Sequence, residues 1–534
     1  MSSPPTTSPS AEPAPSTTVA DAAAPAVRAE PLGLRPALAL AVASGVLYFV
    51  GFAGFDVWPL SLVALAPLVV ALDGQRPRRA LVLGLVTGLT LTLGGFYWLL
   101  GMLETFSGFP TVVCLLLMVL LCAYQGGRIG LLTWLYARAS ERGWPKALVF
   151  CLAFAASELV FPLLFPWYFG ASVHQVPVLL QVAELGGPYL VSLVLVAPSL
   201  ALAELWLSRR QKRRWQRGVV VGGFLVPVVA AVYGFVRIEQ LDTRMAELEP
   251  LRVGIVQGNQ PLMAGREERA ASFRRHVEMT EKLRDQGVDL VVWSEAALLM
   301  NVPEQDHDAY LQRLFTRKLK VPTIIGTVLS RRSEGNYVAF NTALSVDREG
   351  KVTGRYDKQY LLAFGEYIPF GDVFPVLYEW SPNSGRLTPG TSLNPLPYGE
   401  HSIATLICYE DILPAFVRKM VRHSKPDLFV NLTNDAWFGD TTEPWIHLAL
   451  AKFRSVEHRR YLVRATNSGV SAIVDPVGRV VAHGGTFRAE TVEGTVRFMK
   501  ATTGYEIWGD LPWWLGTAAV LAMAFVRRPA RRVD

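Results

Sequence analysis

Apolar positions are not spread evenly along the chain. From about residue 36 to residue 236 almost every window is apolar, 250–500 alternates short apolar runs with polar ones, and 511–526 is apolar again. A helix needs about 20 predominantly apolar residues to cross a bilayer. By that measure the sequence predicts eight spans, over 36–54, 57–73, 80–103, 109–137, 146–164, 187–207, 218–236 and 511–526, the second and last being short. Any one such run could be a buried core helix. A series of them predicts a polytopic α-helical membrane domain over 35–237, seven helices, with the eighth at 511–526.

From Leu251 the pattern changes. The runs 251–259, 288–295, 321–328, 339–347, 402–410, 426–435 and 471–478 are rich in Val, Ile and Leu and read as buried strands, with helical patterns between several of them, as at 267–286 and 443–460. Strands alternating with helices predict an α/β layered domain over 250–500.

Composition agrees with a chain divided in two, since 51% of its 534 residues are hydrophobic. Charge adds an orientation. Basic residues fill the connections after the second span (Arg76, Arg78, Arg79), the fourth (Arg138, Arg142, Lys146) and the sixth (Arg209, Arg210, Lys212, Arg213, Arg214, Arg217), and the tail 527–534. The connections 55–56, 104–108 and 165–186 carry none. Cytoplasmic loops hold the excess of Lys and Arg, so both termini are expected in the cytoplasm and 250–500 on the outer face. The net charge of +7 is accounted for by these anchors and is not read as a nucleic-acid footprint. Residues 1–34, rich in Pro, Ala, Ser and Thr, predict a disordered cytoplasmic tail without a signal peptide.

Polar residues collect where the predicted strands end: Glu295, then Cys408 with Tyr409, Glu410 and Asp411, then Asn434 with Asp435. In α/β domains such ends are where sites form. Of the four cysteines, Cys114, Cys122 and Cys151 fall in predicted spans, where a thiol is a small apolar group. Cys408 is alone in the outer domain, without a disulfide partner. A cysteine nucleophile needs a base and a positive partner for the oxyanion. His276, His307, His401, His423, His447, His458 and His483 all fall in helices or connections, which disfavours a Cys–His pair. A carboxylate can be the base if burial raises its pKa; Glu295, closing "LVVW", is the candidate, and Lys358 is the candidate cation. No metal-ligand spacing is present.

The segments "VVWSEAA" with Glu295, "YDKQYLLAFGEYIPF" with Lys358 and Glu366, "LICYED" with Cys408, and "NLTNDAWFG" resemble the motifs of the nitrilase superfamily. Their order within eight spans makes the chain similar to the apolipoprotein N-acyltransferase family of the bacterial inner membrane. The sequence departs from that pattern at Ser294, where Pro is usual, and in lacking a Trp soon after "QGNQP". The resemblance implies an αββα sandwich and a Glu295–Lys358–Cys408 catalytic set, with Glu366, Tyr409 and Glu410 in support. It also implies an acyl group passed from a phospholipid, through a thioester on Cys408, to the amine of a diacylated apolipoprotein, with no cofactor. Partners are then the phospholipid donor, the apolipoprotein acceptor and the inner-membrane lipids around a monomer. "FPVLYEW" (374–380) and "DAWFG" (435–439) are candidate lips of a lipid entrance, with Asn434, Trp437 and Phe438 as substrate contacts. Glu158 and Arg128 are ionisable groups inside spans without an assigned role. Two other readings are a membrane-tethered amidase, for which eight spans are excessive, and a transporter with a large outer domain.

Overall fold

The computed structural model describes residues 30–528 except 263, 299–306, 334–335 and 381–383. The predicted N-terminal tail over 1–29, and 529–534 of the basic C-terminal tail, lie outside the described residues.

Among the described residues, four helices are long and apolar enough to cross a membrane: Leu34–Gly51, Thr111–Ser140, Ala183–Arg210 and Arg217–Ala246. Pro77–Gly95 and Leu99–Ser107, bent by 70°, make a fifth crossing if taken together. The expected continuous span over 80–103 is therefore broken. The break falls after Gly94 and Gly95, residues that weaken a helix interior, and it turns Phe96 and Trp98 inward, where both are buried. The run 57–73 folds as a short turn, Trp58–Leu62, and the helix Ala66–Leu72; the runs 146–164 and 511–526 give the helices Lys146–Val160 and Leu511–Phe525. Helices Pro77–Gly95 and Thr111–Ser140 cross where Gly88 meets Gly126. A Cβ on Gly88 would lie 2.0 Å from the Gly126 carbonyl oxygen, so only glycine permits this approach.

The 30-residue helix Arg217–Ala246 runs about 45 Å at 1.5 Å per residue, well beyond a hydrocarbon core of about 30 Å. Its last turns bury Leu241 and Met245 in the core of the 250–500 domain, and the chain then enters β1 (Pro250–Gln257). One sheet has the order β12 (Glu490–Arg497), β1, β2 (Leu290–Trp293), β3 (Thr323–Ser333), β4 (Asn336–Val346), β5 (Val352–Asp357). The other runs β11 (Val480–His483), β10 (Ala472–Val474), β9 (Leu462–Thr466), β8 (Leu428–Thr433), β7 (His401–Ile407), β6 (Leu396–Tyr398). Side chains alternate across each strand. Leu290 and Val292 enter the core shared by the two sheets, whereas Val291 and Trp293 face an outer layer that includes Val277, Leu283 and Phe315. The result is a helix–sheet–sheet–helix stack, the arrangement that the resemblance implies.

The 250–500 domain is docked on the helices by buried polar contacts. Arg459, at the end of helix Glu443–His458, donates to Glu184 at 2.8 Å and to Gln181 at 2.6 Å, and Lys452 donates to the His174 carbonyl at 2.5 Å.

Candidate active site

The parallel strands β7, β8 and β9 end on one rim, and Cys408 is the first residue beyond β7. Its φ of +52° is left-handed, a conformation that costs a non-glycine residue free energy and aims the side chain out of the strand. Ala296, next to Glu295, has φ +48°, a second local departure at the end of β2.

Glu295 and Lys358 meet in this space. Lys358 is 1% exposed, with Nζ 2.8 Å from Glu366 Oε2 and 3.4 Å from Glu295 Oε1. Asn341 on β4 donates to Glu295 Oε1 at 2.7 Å and to Glu366 Oε1 at 3.0 Å, tying the two carboxylates together. Glu366 also accepts the Leu362 N–H at 2.8 Å, which fixes the loop carrying it. Glu410 does not reach Lys358 directly. Its carboxylate accepts from the N–H groups of Ile407, Gln359 and Tyr360 and from the Tyr356 hydroxyl, at 2.7–3.1 Å, strapping the turn of Cys408 to the chain following Lys358.

The electrostatics follow from burial. Burial pushes the Cys408 thiol well above its ordinary value; Glu295 adds to the rise and Lys358 opposes it. Burial likewise raises Glu295, against Lys358. Lys358 is lowered by burial but held well above its ordinary value by Glu366 and Glu295, so it stays an ammonium. Burial lifts Glu410 to about 7 against the donors around it. The group is therefore a thiol, a carboxylate whose proton affinity burial raises, and a permanent cation.

A second buried cluster lies behind Cys408. Arg464 on β9 donates to Asp411 at 2.6 Å and to Asp435 at 3.0 Å, and His447 bridges the same two carboxylates at 2.9 and 3.0 Å. Burial and Arg464 disfavour the imidazolium, yet the facing Asp411 and Asp435 bring His447 up to about 10. Asn431 accepts from Arg464 and donates to the Cys408 carbonyl at 3.1 Å. Asp435, Glu443 and His447 have ligand atoms within 4.8 Å of one another, close enough for a cation. Both His447 nitrogens are already engaged by carboxylates, however, and Arg464 occupies Asp435, so this donor set is an ion-pair network rather than a metal cradle.

Cys408 opens on a cavity of about 40 Å³ walled by Phe96, Trp98, Phe165, Trp167, Leu362, Tyr409 and Phe438. A larger apolar cavity of about 280 Å³, between helices Leu99–Ser107 and Thr111–Ser140 and the loop 362–365, shares Phe165 and Leu362 with it. Phe438 thus lines the thiol pocket. Trp437 stacks on Phe106 at 4.2 Å, further out. Asn434 instead caps its own turn, accepting from Ala436 N–H and from Asn467, and is not in the wall of either cavity. The 374–380 segment, with Phe370 and Val373 before it, exposes large apolar side chains, Phe370 being 74% and Phe374 58% accessible.

Sequence reasoning missed Asn341, Arg464 and the pairing of His447. Asn341 was visible as a lone amide in "AFNTALSVD". His447 stands 36 residues from one partner and 12 from the other, with no local signal joining them.

Residues 252–503 match the carbon-nitrogen hydrolase family, and 44–201 match the apolipoprotein N-acyltransferase N-terminal domain. The chain is 31% identical to an apolipoprotein N-acyltransferase of Geobacter metallireducens over 506 residues, 92% of this chain and 95% of that one. It is 32% identical to one from Azotobacter vinelandii, covering 93% and 96%. Among solved structures it is similar to Saccharomyces cerevisiae Nit3, described as a member of branch 10 of the nitrilase superfamily, at 16% identity over 49% of this chain and 95% of that one, with a TM-score of 0.37.

Proposed function

The chain belongs to the apolipoprotein N-acyltransferase family, and from that premise we propose that Cys408, Glu295 and Lys358 carry out its reaction as nucleophile, base and oxyanion partner. As a member it is an acyltransferase of lipoprotein biosynthesis, its nitrilase-type domain carried on apolar helices.

In the first step Glu295 takes the thiol proton as Cys408 Sγ attacks the ester carbonyl of a phospholipid, sn-1 of phosphatidylethanolamine being the donor we favour. The carbonyl oxygen, now negative, is stabilised by the Lys358 ammonium and the Tyr409 N–H. The C–O bond then breaks, the lysophospholipid alkoxide receives the proton from Glu295, and a thioester remains. In the second step the amine of the diacylglyceryl-cysteine on an apolipoprotein attacks that thioester. Glu295 takes the amine proton, the C–S bond breaks, and the proton returns to sulfur. The phospholipid ester supplies an already activated acyl group and amide formation from the thioester is downhill, so neither step calls for ATP or a metal.

The observation that carries this reading is the burial of Lys358 between Glu366 and Glu295 in the field of the Cys408 thiol. An apolar cavity next to the thiol suits acyl chains and would keep water from the thioester. The exposed apolar segment around 370–376 suits a lip dipping into lipid. Glu366 would hold Lys358 directly, and Glu410 would fix the backbone on either side.

We further propose that the bent pair, the segment Trp58–Leu72 and the helices Lys146–Val160 and Leu511–Phe525 join the four long helices to make eight crossings. On this reading the lysine and arginine asymmetry puts both termini in the cytoplasm and the 250–500 domain on the periplasmic side of the inner membrane, in a monomer. The test is acyl transfer from phosphatidylethanolamine to a diacylated lipopeptide by the full chain. N-acyl product from the wild type and none from Cys408→Ala or Glu295→Gln is expected; turnover by Cys408→Ala would overturn the assignment.

A further inference from the structure

Between helices Lys146–Val160 and Ala183–Arg210 the chain does not run as a helix at 161–168. Backbone N–H and C=O groups in such a stretch have no helical partners, and at membrane depth they must be satisfied by protein. Several of them are bound by buried side chains. Gln125 donates to the Phe165 carbonyl at 3.0 Å and accepts the Leu164 N–H at 2.8 Å. Arg128 donates to the Trp167 carbonyl at 3.1 Å, to Tyr48 at 3.1 Å and to Glu158 at 3.4 Å. Glu158 accepts the Phe169 N–H at 2.8 Å.

Gln125 and Arg128 are both fully buried, three residues apart on one face of helix Thr111–Ser140. The Arg128 guanidinium also lies 3.5 Å from the centre of the Trp167 ring. The segment so gripped supplies Phe165, Pro166 and Trp167 to the wall of the Cys408 cavity. Phe165 borders the larger apolar cavity as well, and the Tyr409 hydroxyl reaches the Leu164 carbonyl at 3.4 Å. The ionisable pair inside the spans is thus directed at the wall of the thiol pocket.

We propose that Gln125, Arg128 and Glu158 are positioning residues that hold Phe165 and Trp167 as a rigid rest for the donor's acyl chain, and so set which chain lengths reach Cys408. The proposal rests on the phospholipid-donor reading above. A rigid apolar wall separates substrates differing by a methylene or two by about 10-fold or more, and loosening it erodes that ratio.

Two variants test it in the full chain in lipid nanodiscs. Gln125→Leu removes both hydrogen bonds to the segment without changing charge. Arg128→Lys keeps a cation beside Glu158 but gives up the stacking on Trp167. For each, the rate of acyl uptake on Cys408 is followed by intact mass with donors of C12 to C18 chains, and iodoacetamide alkylation of Cys408 reads the integrity of the catalytic centre. The expected result is a chain-length ratio compressed by about 3-fold or more, with alkylation at the wild-type rate. A profile parallel to the wild type would overturn the proposal, as would a uniform loss at all lengths matched by lost alkylation, which marks a purely structural role. A wild type that takes up no acyl group from any donor would sink the donor reading and this proposal with it; acylated wild type with unchanged profiles sinks this one alone.

Discussion

Lys358 and Arg464 are both buried cations near Cys408, and each is held by two carboxylates, but on different terms. Arg464 makes short bonds to Asp411 and Asp435, at 2.6 and 3.0 Å, and those carboxylates are bridged again by His447. Lys358 has one short partner, Glu366 at 2.8 Å, and one long one, Glu295 at 3.4 Å. A guanidinium is a rigid planar fork suited to a fixed frame, whereas an ammonium is a compact charge that can redirect its protons. The Arg464 cluster braces the turn of Cys408 through Asn431. The loosely held one leaves Glu295 able to exchange a proton and Lys358 able to turn toward an oxyanion.

The sharpest way to break this comparison is to exchange the cations. Lys358→Arg keeps the charge but not its compactness, and transfer activity should fall by about 10²–10³-fold, the usual effect of losing one oxyanion donor, with thermal stability near wild type. Arg464→Met should do the reverse in kind. It strands two buried carboxylates, a class of change that costs about 3–5 kcal/mol, and should appear as a large drop in melting temperature or in folded yield.

The clusters should also separate by pH. His447, raised to about 10 by Asp411 and Asp435 against burial, stabilises the fold fully below the free imidazole value of about 6.5. That contribution is lost as pH rises toward 10, by a few kcal/mol in a denaturation series, and His447→Gln should flatten the slope. Glu295, raised by burial, can serve as the proposed base only when ionised. The acid limb of the transfer rate should therefore lie above the value of about 4.3 for a free glutamate. Asn341→Leu, which deletes a bond favouring the carboxylate, should move that limb higher still. The smallest effect expected is at the rim, where Trp437→Ala removes the stack on Phe106 and should cost about 0.5–1.5 kcal/mol of stability.

Much of this was legible before the fold. Glu295, Cys408 and the 426–435 strand end stand where an apolar run stops, and a buried strand announces its end by its first polar residues. Strand β9 was not legible because Arg464 interrupts "YLVRAT" with a charge that the structure pairs with Asp411 and Asp435. Short or polar edge strands, β6, β11 and β12, bury too little to leave a run. The break at Phe96 had a signal in Gly94–Gly95, overridden in the reading by the hydrophobicity around it. The His447 bridge had none, since pairing across layers leaves no spacing in the sequence.

The central claim is that Cys408 carries the acyl group between donor and acceptor. Its most direct test is the intact mass of the purified full-length protein after incubation with phosphatidylethanolamine, for the wild type and Cys408→Ala. The account predicts a mass increase of one acyl chain on the wild type, absent from the variant and released by hydroxylamine. An adduct of the same size on Cys408→Ala, or none on folded wild type across a range of phospholipids, would contradict it.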